Sequence, residues 1–511
     1  MTRLSRAEAA FANDIRGNAP KQFGKEIARV FGKPLLDMSS GDLPKCFGPG
    51  HFKSIDAAIS NFPPISMAYD HDLYSQAQDA VWSYLTGLPG SRMEKERDRV
   101  HAIPGISGFM GDVIGICAEA MGFRNEYWHR NSPTFVLIPP VHPHWTASIA
   151  ERFGYGSIVT IRRRADGLPD LEDAERVFKS LKREFVVIMT PDENPAGVCT
   201  PNSFLFNDEQ TGVLNRIRNH TRWGIFLFDA IYMDTSWGEN AGRRQDVINA
   251  IEGLGVRAFV MHSLSKTFMK PGARIGGVAY LGPTDKVGAK IVRGLLRVVD
   301  GKIKNGISAP SLCGLIEAYS GKDGIRAEME DVVGQIRARV EENEGLLNVW
   351  PIGRAYPQSR IESAFYGWHS VATRSSVPWQ DPEYQQWLVD RVEAKFKENG
   401  FFNMKTEVLW AGFRKVVGAH GLTPSHAFGI ELAMNGLQVL PGDPFFPLFT
   451  DDAMEQPYRF TENGENPILF RTVLAYEREK TELARDTMLE MLERRIGEYN
   501  SSKAGWRKAY P

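Results

Sequence analysis

Short apolar runs and amphipathic stretches alternate through the middle of the chain, and their order alone predicts an architecture. "PTFVLIPP", "GSIVTIR", "FVVIMTP", "GIFLFDAIY", "VRAFVMHSL" and "GGVAYLG" are of strand length and apolar almost throughout. Between them, "HWTASIAERFGY" and "DLEDAERVFKSL" repeat their apolar positions at helical spacing, the second behind an aspartate suited to cap it. "SQAQDAVWSYLT" has the same rhythm, "GISGFMGDVIGICAEAMGF" reads as a turn opening into a helix, and "SFLFNDEQTGVLNRIRNH" becomes helical in its later part. Strands apolar on both faces and separated by helices imply a mostly parallel sheet covered on both sides, an α/β fold. After about residue 345 the texture changes. "ESAFYGWHSVA", "GLQVLPG" and "ILFRTVLAY" read as strands, and "REKTELARDTMLEMLERRIGEY" as a long charged amphipathic helix. Near the start, a polar helical arm leads into "KPLLDMSSGDLPK", a short strand and a Gly/Asp/Pro turn. The expected division is an arm and part of a small domain over 1–54, a large α/β domain over 55–335 and a small α+β domain over 336–511.

Composition narrows the function classes. The 511 residues carry 61 Lys and Arg against 62 Asp and Glu, a net charge of -1 that lacks the basic footprint of a nucleic-acid binder. The mixed-sign run "SRMEKERDRV" reads as a solvated helix. Cys46, Cys117, Cys199 and Cys313 are scattered without a CxxC pair, which suits a reducing compartment. The first twenty residues lack the apolar core of a secretory signal, and no stretch approaches a membrane span. A cytoplasmic enzyme is expected, with no membrane or nucleic-acid partner.

Ligands of an open parallel sheet sit beyond the carboxyl ends of its strands, so the polar residues there carry the candidate chemistry. Asn194 follows one apolar run, Asp229 and Tyr232 another, and Ser263, Ser265 and Lys266 a third. Ser107 and Gly108 stand at a predicted helix start. Each has a use if the ligand is a phosphorylated heteroaromatic aldehyde. A lysine amine forms a Schiff base with the aldehyde. A buried carboxylate keeps the ring nitrogen protonated, so the ring accepts electrons. A helix N-terminus near Ser107 offers free N–H groups to the phosphate, and Arg274, beyond a Pro-Gly turn, can clamp it bidentately. Asn194 and Tyr232 suit the ring hydroxyl. No GxxxxGK[ST] motif gives Lys266 a nucleotide-binding reading.

"SLSKTFMKPGARIGG" resembles the cofactor-lysine motif of the fold-type I pyridoxal-phosphate enzymes, in particular the class I/II (aspartate-aminotransferase-like) aminotransferase family. In the same order, "NPAG" resembles the family's N-P-x-G, "DAIY" its D-x-x-Y, and "GLQVLPGDPF" its G-V-x-x-x-P-G-x-x-F. "LFRTVLA" resembles the strand bearing its carboxylate-binding arginine, here Arg471, and the resemblance spans about residues 35 to 495. It implies a seven-stranded sheet in a large pyridoxal-phosphate-binding domain, with a smaller α+β domain built from both chain ends. It also implies a homodimer with shared active sites, acting on a small-molecule amino acid.

The resemblance gives the residues expected roles. Lys266 holds the cofactor as an aldimine and moves protons, with Asp229 and Tyr232 as catalytic partners. Ser107, Gly108, Phe109, Ser263 and Arg274 bind phosphate, Tyr69 reaches the neighbouring subunit's phosphate, and His142 stacks on the ring. Gly41, Arg471 and Asn194 bind substrate, and Asn305 and Ser308 belong to a segment that reaches across the dimer. The expected reaction is transamination of an L-α-amino acid to a 2-oxo acid. The alternative is β/γ-elimination or replacement, C–C bond formation or oxidation through the same quinonoid chemistry. Several features depart from the family pattern. The stacking position holds His142, with His144 and Trp145 near it, and His71 follows Tyr69 where the family has a glycine. Residues 395–435 are longer than a compact second domain needs, and their "GAHG" and "PSHAFG" turns are candidates to cap the site. Tyr366 and His369 are candidate substrate contacts, and Arg293, Arg297, Lys302 and Lys304 are candidates for a distal carboxylate. No metal is expected: His142 and His144 lack a third ligand at suitable spacing.

Overall fold

The computed structural model describes residues 19–48, 50–61, 71–88, 96–123, 133–181, 185–192, 194–205, 212, 215, 224–303, 306–372, 378–401, 404–442, 445–446 and 468–501. Tyr69, Asn305 and Lys304, the side chain of His71, the first half of "SRMEKERDRV" and most of "SFLFNDEQTGVLNRIRNH" lie outside them. The strands are β1 (Leu36–Asp37), β2 (Val100–Ile103), β3 (Thr134–Leu137), β4 (Ile158–Thr160), β5 (Phe185–Met189), β6 (Ile225–Asp229), β7 (Arg257–Ser263), β8 (Gly276–Leu281), β9 (Ile352–Arg354), β10 (Tyr366–Val371), β11 (Leu437–Gln438), β12 (Leu440–Pro441) and β13 (Ile468–Val473).

A seven-stranded sheet runs in the order β2-β8-β7-β6-β5-β3-β4, mostly parallel as expected, with β8 antiparallel to both its neighbours. Its two faces are covered, which is why its strands lack polar alternation. Ile225 and Leu227 of β6 enter one core, and Phe226 and Phe228 enter the other. Each such side chain contributes on the order of 2 kcal/mol of burial. Asp170 caps the Leu171–Ser180 helix, accepting from the N–H groups of Glu172 and Asp173 at 3.0 and 3.1 Å.

The chain ends build the smaller unit. β1 pairs in parallel with β11, and β12, β13, β10 and β9 form an antiparallel sheet. "GLQVLPG" therefore serves two sheets, splitting at Val439 between β11 and β12. β2 and β9 escaped sequence reading because four and three residues are too few for a period to show. Residues 395–435 do not cap the cavity described below, since none of them lines it. They form parts of three helices, Pro382–Asn399, Met404–His420 and Pro424–Met434, which hold the Ala19–Val30 helix. Phe23 of that helix packs edge-on against Trp410 and Phe413, at 5.3 and 5.4 Å between centroids.

Candidate active site

Strand register assembles the site. β5, β6 and β7 are adjacent and parallel, so the residues after them form a row at one edge of the sheet: Asn194, then Asp229 and Tyr232, then Ser263 and Lys266. β8 returns beside β7 with Gly276 opposite Ser263, and β2 ends with Ile103 opposite the same Gly276. A Cβ on Gly276 would stand 2.2 Å from the His262 carbonyl oxygen, so only glycine permits this approach. The consequence is that the start of the Gly105–Ala120 helix, Arg274 and the loop bearing Lys266 meet at one place.

That meeting place is built for an anion. The helix opens at Gly105, φ +70°, with no side-chain cap on its first N–H groups. A Cβ on Gly105 would lie 3.9 Å from Arg274 Nη2, so the guanidinium stands over the helix terminus. Arg274 itself has φ 47°, a left-handed conformation unusual outside glycine. Ser107 and Ser263 line the same cavity, of about 350 Å³. Gly108 and Phe109 do not line it, and the Phe109 ring is buried in the core.

In the middle of the row, Asp229 is 4% exposed at the tip of β6. Trp145 Nε1 donates to its Oδ2 at 3.0 Å, while the buried Oδ1 has no partner among the described residues. Burial pushes the Asp229 pKa up to about 6, against the lowering effect of Trp145 and the Ile231 N–H. Trp145 was missed as a site residue because its helical rhythm reads as core; only its indole N–H distinguishes it.

Arg471, 6% exposed on β13, ties the two units together. Its Nη1 donates to Asn194 Oδ1 and its Nη2 to the Ser39 carbonyl, both at 2.7 Å. Its Nε is buried with no partner among the described residues. Asn194 Nδ2 donates to Tyr232 Oη at 3.3 Å, and Tyr232 Oη lies 3.0 Å from Tyr366 Oη. Lys266 Nζ donates to the Gly41 carbonyl. The Asn194 turn is braced from behind: Asp192 Oδ1 accepts from Arg243 Nη2 at 2.8 Å and from Ser236 Oγ at 2.7 Å. Gly197, φ +66°, closes that turn where a Cβ would come within 2.9 Å of the Ser363 carbonyl.

His142 lines the cavity and caps the Pro143–Phe153 helix, its Nδ1 accepting from the His144 N–H at 3.4 Å. Burial, then His144, Arg471 and Lys266, hold its pKa well below the usual 6.5, so the ring is neutral at pH 7. His144 also lines the cavity, edge-on to His142 at 4.8 Å. His369 does not: it bonds Thr472 Oγ1 at 2.8 Å and stacks on Phe470. Arg297 and Lys302 pair with Glu119 and Asp112 outside the cavity, and Arg293 also lies outside it. Ser308 caps its own helix. Tyr366, Ser39, Leu440 and Phe445 also line the cavity. Among the described residues, no three His, Cys, Asp or Glu side chains gather as a metal site, and no helix is long and apolar enough to cross a membrane.

The donor set fits pyridoxal phosphate: a helix terminus and a guanidinium for phosphate, an unpartnered buried carboxylate oxygen, and an amine in the same cavity. Comparison with known proteins bears on the fold. The family model "Aminotransferase class I and II" matches residues 128–361. No curated protein matches the chain. Among solved structures, the chain is similar to an alanine aminotransferase from Pyrococcus furiosus, at 15% identity over 96% of this chain and 100% of that one, with a TM-score of 0.63. It is similar to an aminotransferase from Escherichia coli at 16% identity, covering 94% and 95% of the two chains, with a TM-score of 0.62. A probable N-succinyldiaminopimelate aminotransferase from Thermus thermophilus gives 18% identity, 93% and 99% coverage and a TM-score of 0.58.

Proposed function

We propose that this chain, which belongs to the fold-type I superfamily of class I and II aminotransferases, is a pyridoxal-phosphate-dependent aminotransferase of L-α-amino acids. The observation that carries the reading is that one cavity holds both Lys266 and the buried Asp229, whose Oδ1 has no partner among the described residues. When bound, pyridoxal phosphate supplies an aldehyde for amines and a ring that accepts electrons from the substrate Cα. Ser107, Ser263, Arg274 and the helix terminus would hold its phosphate, Asp229 its ring nitrogen, and Asn194 and Tyr232 its ring oxygen. Asp229 keeps a proton on its partner because its own desolvated carboxylate is costly unless it is paired.

Lys266 Nζ has two tasks. It anchors the cofactor, and when displaced by the substrate amine it removes the substrate Cα proton and delivers one back. Arg471 orients the substrate through its α-carboxylate, and its fixed bonds to Asn194 and Ser39 leave the guanidinium no other geometry. Gly41 lines the carboxylate side. Neutral His142 covers the cavity without adding charge. We further propose a homodimer, in which Tyr69 serves the partner's phosphate.

Loaded enzyme mixed with single L-amino acids should release one equivalent of 2-oxo acid per site. Turnover should continue only when a 2-oxo acid acceptor is added. Ammonia release or loss of a side-chain substituent would instead assign an elimination, and product mass would reveal C–C coupling or oxidation.

A further inference from the structure

The Tyr366 phenol has no part in the chemistry above, yet it is tightly held at its centre. It opens β10, is 1% exposed and lines the cavity. Chemistry fixes the direction of the first hydrogen bonds leading to it. A guanidinium only donates, so Asn194 Oδ1 accepts from Arg471 and Asn194 Nδ2 must donate to Tyr232 Oη. Tyr232 Oη lies 3.0 Å from Tyr366 Oη, and its proton is free to be given there once Tyr366 is ionised. Lys266 Nζ donates to the carbonyl of Gly41, the residue that the Tyr366 phenol oxygen abuts, and both side chains line the cavity. The Arg471 guanidinium stands 4.1 Å from the Tyr366 ring centroid. A phenol oxygen beside a second phenol and a lysine amine, with a cation over its ring, is placed to carry negative charge. Gly41 admits it: a Cβ there would stand 1.9 Å from Tyr366 Oη.

We propose that Tyr366 is an acid–base residue for Lys266, its phenolate taking the proton from the Lys266 ammonium and returning it when the amine must be recharged. In that step one N–H bond breaks and one O–H bond forms. Ammonium and phenolate become amine and phenol, and no further reactant is needed. The groups facing the phenol are Lys266 from the loop after β7, Arg471 from β13 and Tyr232 from the loop after β6. Asp229 acts on Tyr232, and His142 nearby is held neutral. Burial alone would push the Tyr366 pKa up, but the charges of Lys266 and Arg471 and the hydrogen bonds outweigh it, so it falls below the usual 10. Burial and the neighbouring Tyr366 push Tyr232 well above 10. The role in catalysis rests on Lys266 being the reacting amine.

The test uses the full-length chain as wild type, Tyr366→Phe and Gly41→Ala. Ultraviolet titration of the cofactor-free chain reads tyrosinate, and the rate of pyridoxal phosphate capture against pH reads the free amine. Wild type should form one tyrosinate below the ordinary tyrosine range. Both variants should lose it, since the added methyl of Gly41→Ala displaces the phenol. Capture by Tyr366→Phe should slow by about 10²-fold at neutral pH and recover as pH rises. If Tyr366→Phe does not fold, Gly41→Ala decides by the same readings. No early tyrosinate in wild type, or wild-type capture with an unchanged pH profile in the folded variant, overturns the proposal. Wild type that forms the tyrosinate but captures no pyridoxal phosphate sinks the cofactor reading while upholding proton exchange between Tyr366 and Lys266.

Discussion

Two buried polar clusters lie on either side of the loop after β7, built from similar residues and put to different ends. One is the cavity, where Asp229, Tyr232, Tyr366, Asn194, Lys266 and Arg471 meet. The other, behind it, joins Tyr84, Asp234, Arg244, His262, Tyr319 and Thr267. There Asp234 Oδ2 accepts from Tyr84 Oη at 2.7 Å and from Arg244 Nη1 at 2.5 Å. His262 bonds Tyr319 Oη at 2.8 Å and Thr267 Oγ1 at 3.2 Å, and Tyr84 stacks on Tyr319 at 4.0 Å. Among the described residues, no side-chain atom of this rear cluster is left buried and unpartnered, whereas Asp229 Oδ1 and Arg471 Nε both are. The two carboxylates, five residues apart, are driven in opposite directions. Burial takes Asp229 up to about 6, while Arg244, His262 and Tyr84 overcome burial and take Asp234 below 3.8. Satisfied polar groups make a scaffold; unsatisfied ones mark where a ligand belongs.

Exchanging the carboxylates for amides breaks the comparison most sharply. Asp229→Asn should lower turnover by roughly 10²–10⁴-fold, yet stabilise the cofactor-free chain at pH 7 by roughly 1–3 kcal/mol. The sign follows from the raised pKa. Between 3.8 and about 6 the folded chain holds a proton that the unfolded chain has released. Its stabilisation is full below the unfolded value and is lost as pH rises through the folded one. Asp234→Asn should do the reverse, costing about 3–5 kcal/mol because it strands the buried Arg244 charge. Asp234 stabilises above its unfolded pKa, and that contribution fades as pH falls through its lowered folded value. Denaturant melts of both variants at pH 5 and pH 7 check the two signs, and equal signs would break the contrast.

A smaller change sharpens it. Trp145→Phe removes one donor to the Asp229 carboxylate and keeps an aromatic ring. Losing a hydrogen bond to a charged group costs about 1.5–3 kcal/mol at most. The acid limb of the pH–rate profile should therefore move up by roughly one pH unit. An unmoved limb would mean that Trp145 only fills space.

The two clusters also differ in how far the sequence revealed them. Lys266, Asp229, Asn194, Arg274 and Arg471 follow apolar strands or sit in recognisable motifs, and all five line one cavity. The parallel sheet was legible because strands covered on both faces lose their polar alternation. Tyr366 was legible as a candidate contact and lines the cavity, but its link to Tyr232 was not, and neither were Trp145 and the rear cluster as partners. Tyr84 and Asp234 are 150 residues apart, and their pairing is fixed only when the His71–Thr86 helix packs on the sheet. The helical layer of residues 395–435, a candidate cap on sequence grounds, turns its apolar surface to the Ala19–Val30 helix instead, a long-range contact that local periodicity does not carry.

The central claim is that Lys266 is the attachment point of pyridoxal phosphate. Reducing the loaded chain with borohydride and mapping its peptides by mass spectrometry tests it directly. The account predicts one pyridoxyl label per chain, on Lys266, and none in Lys266→Ala. A label on another lysine, or equal labelling of the variant, would contradict it.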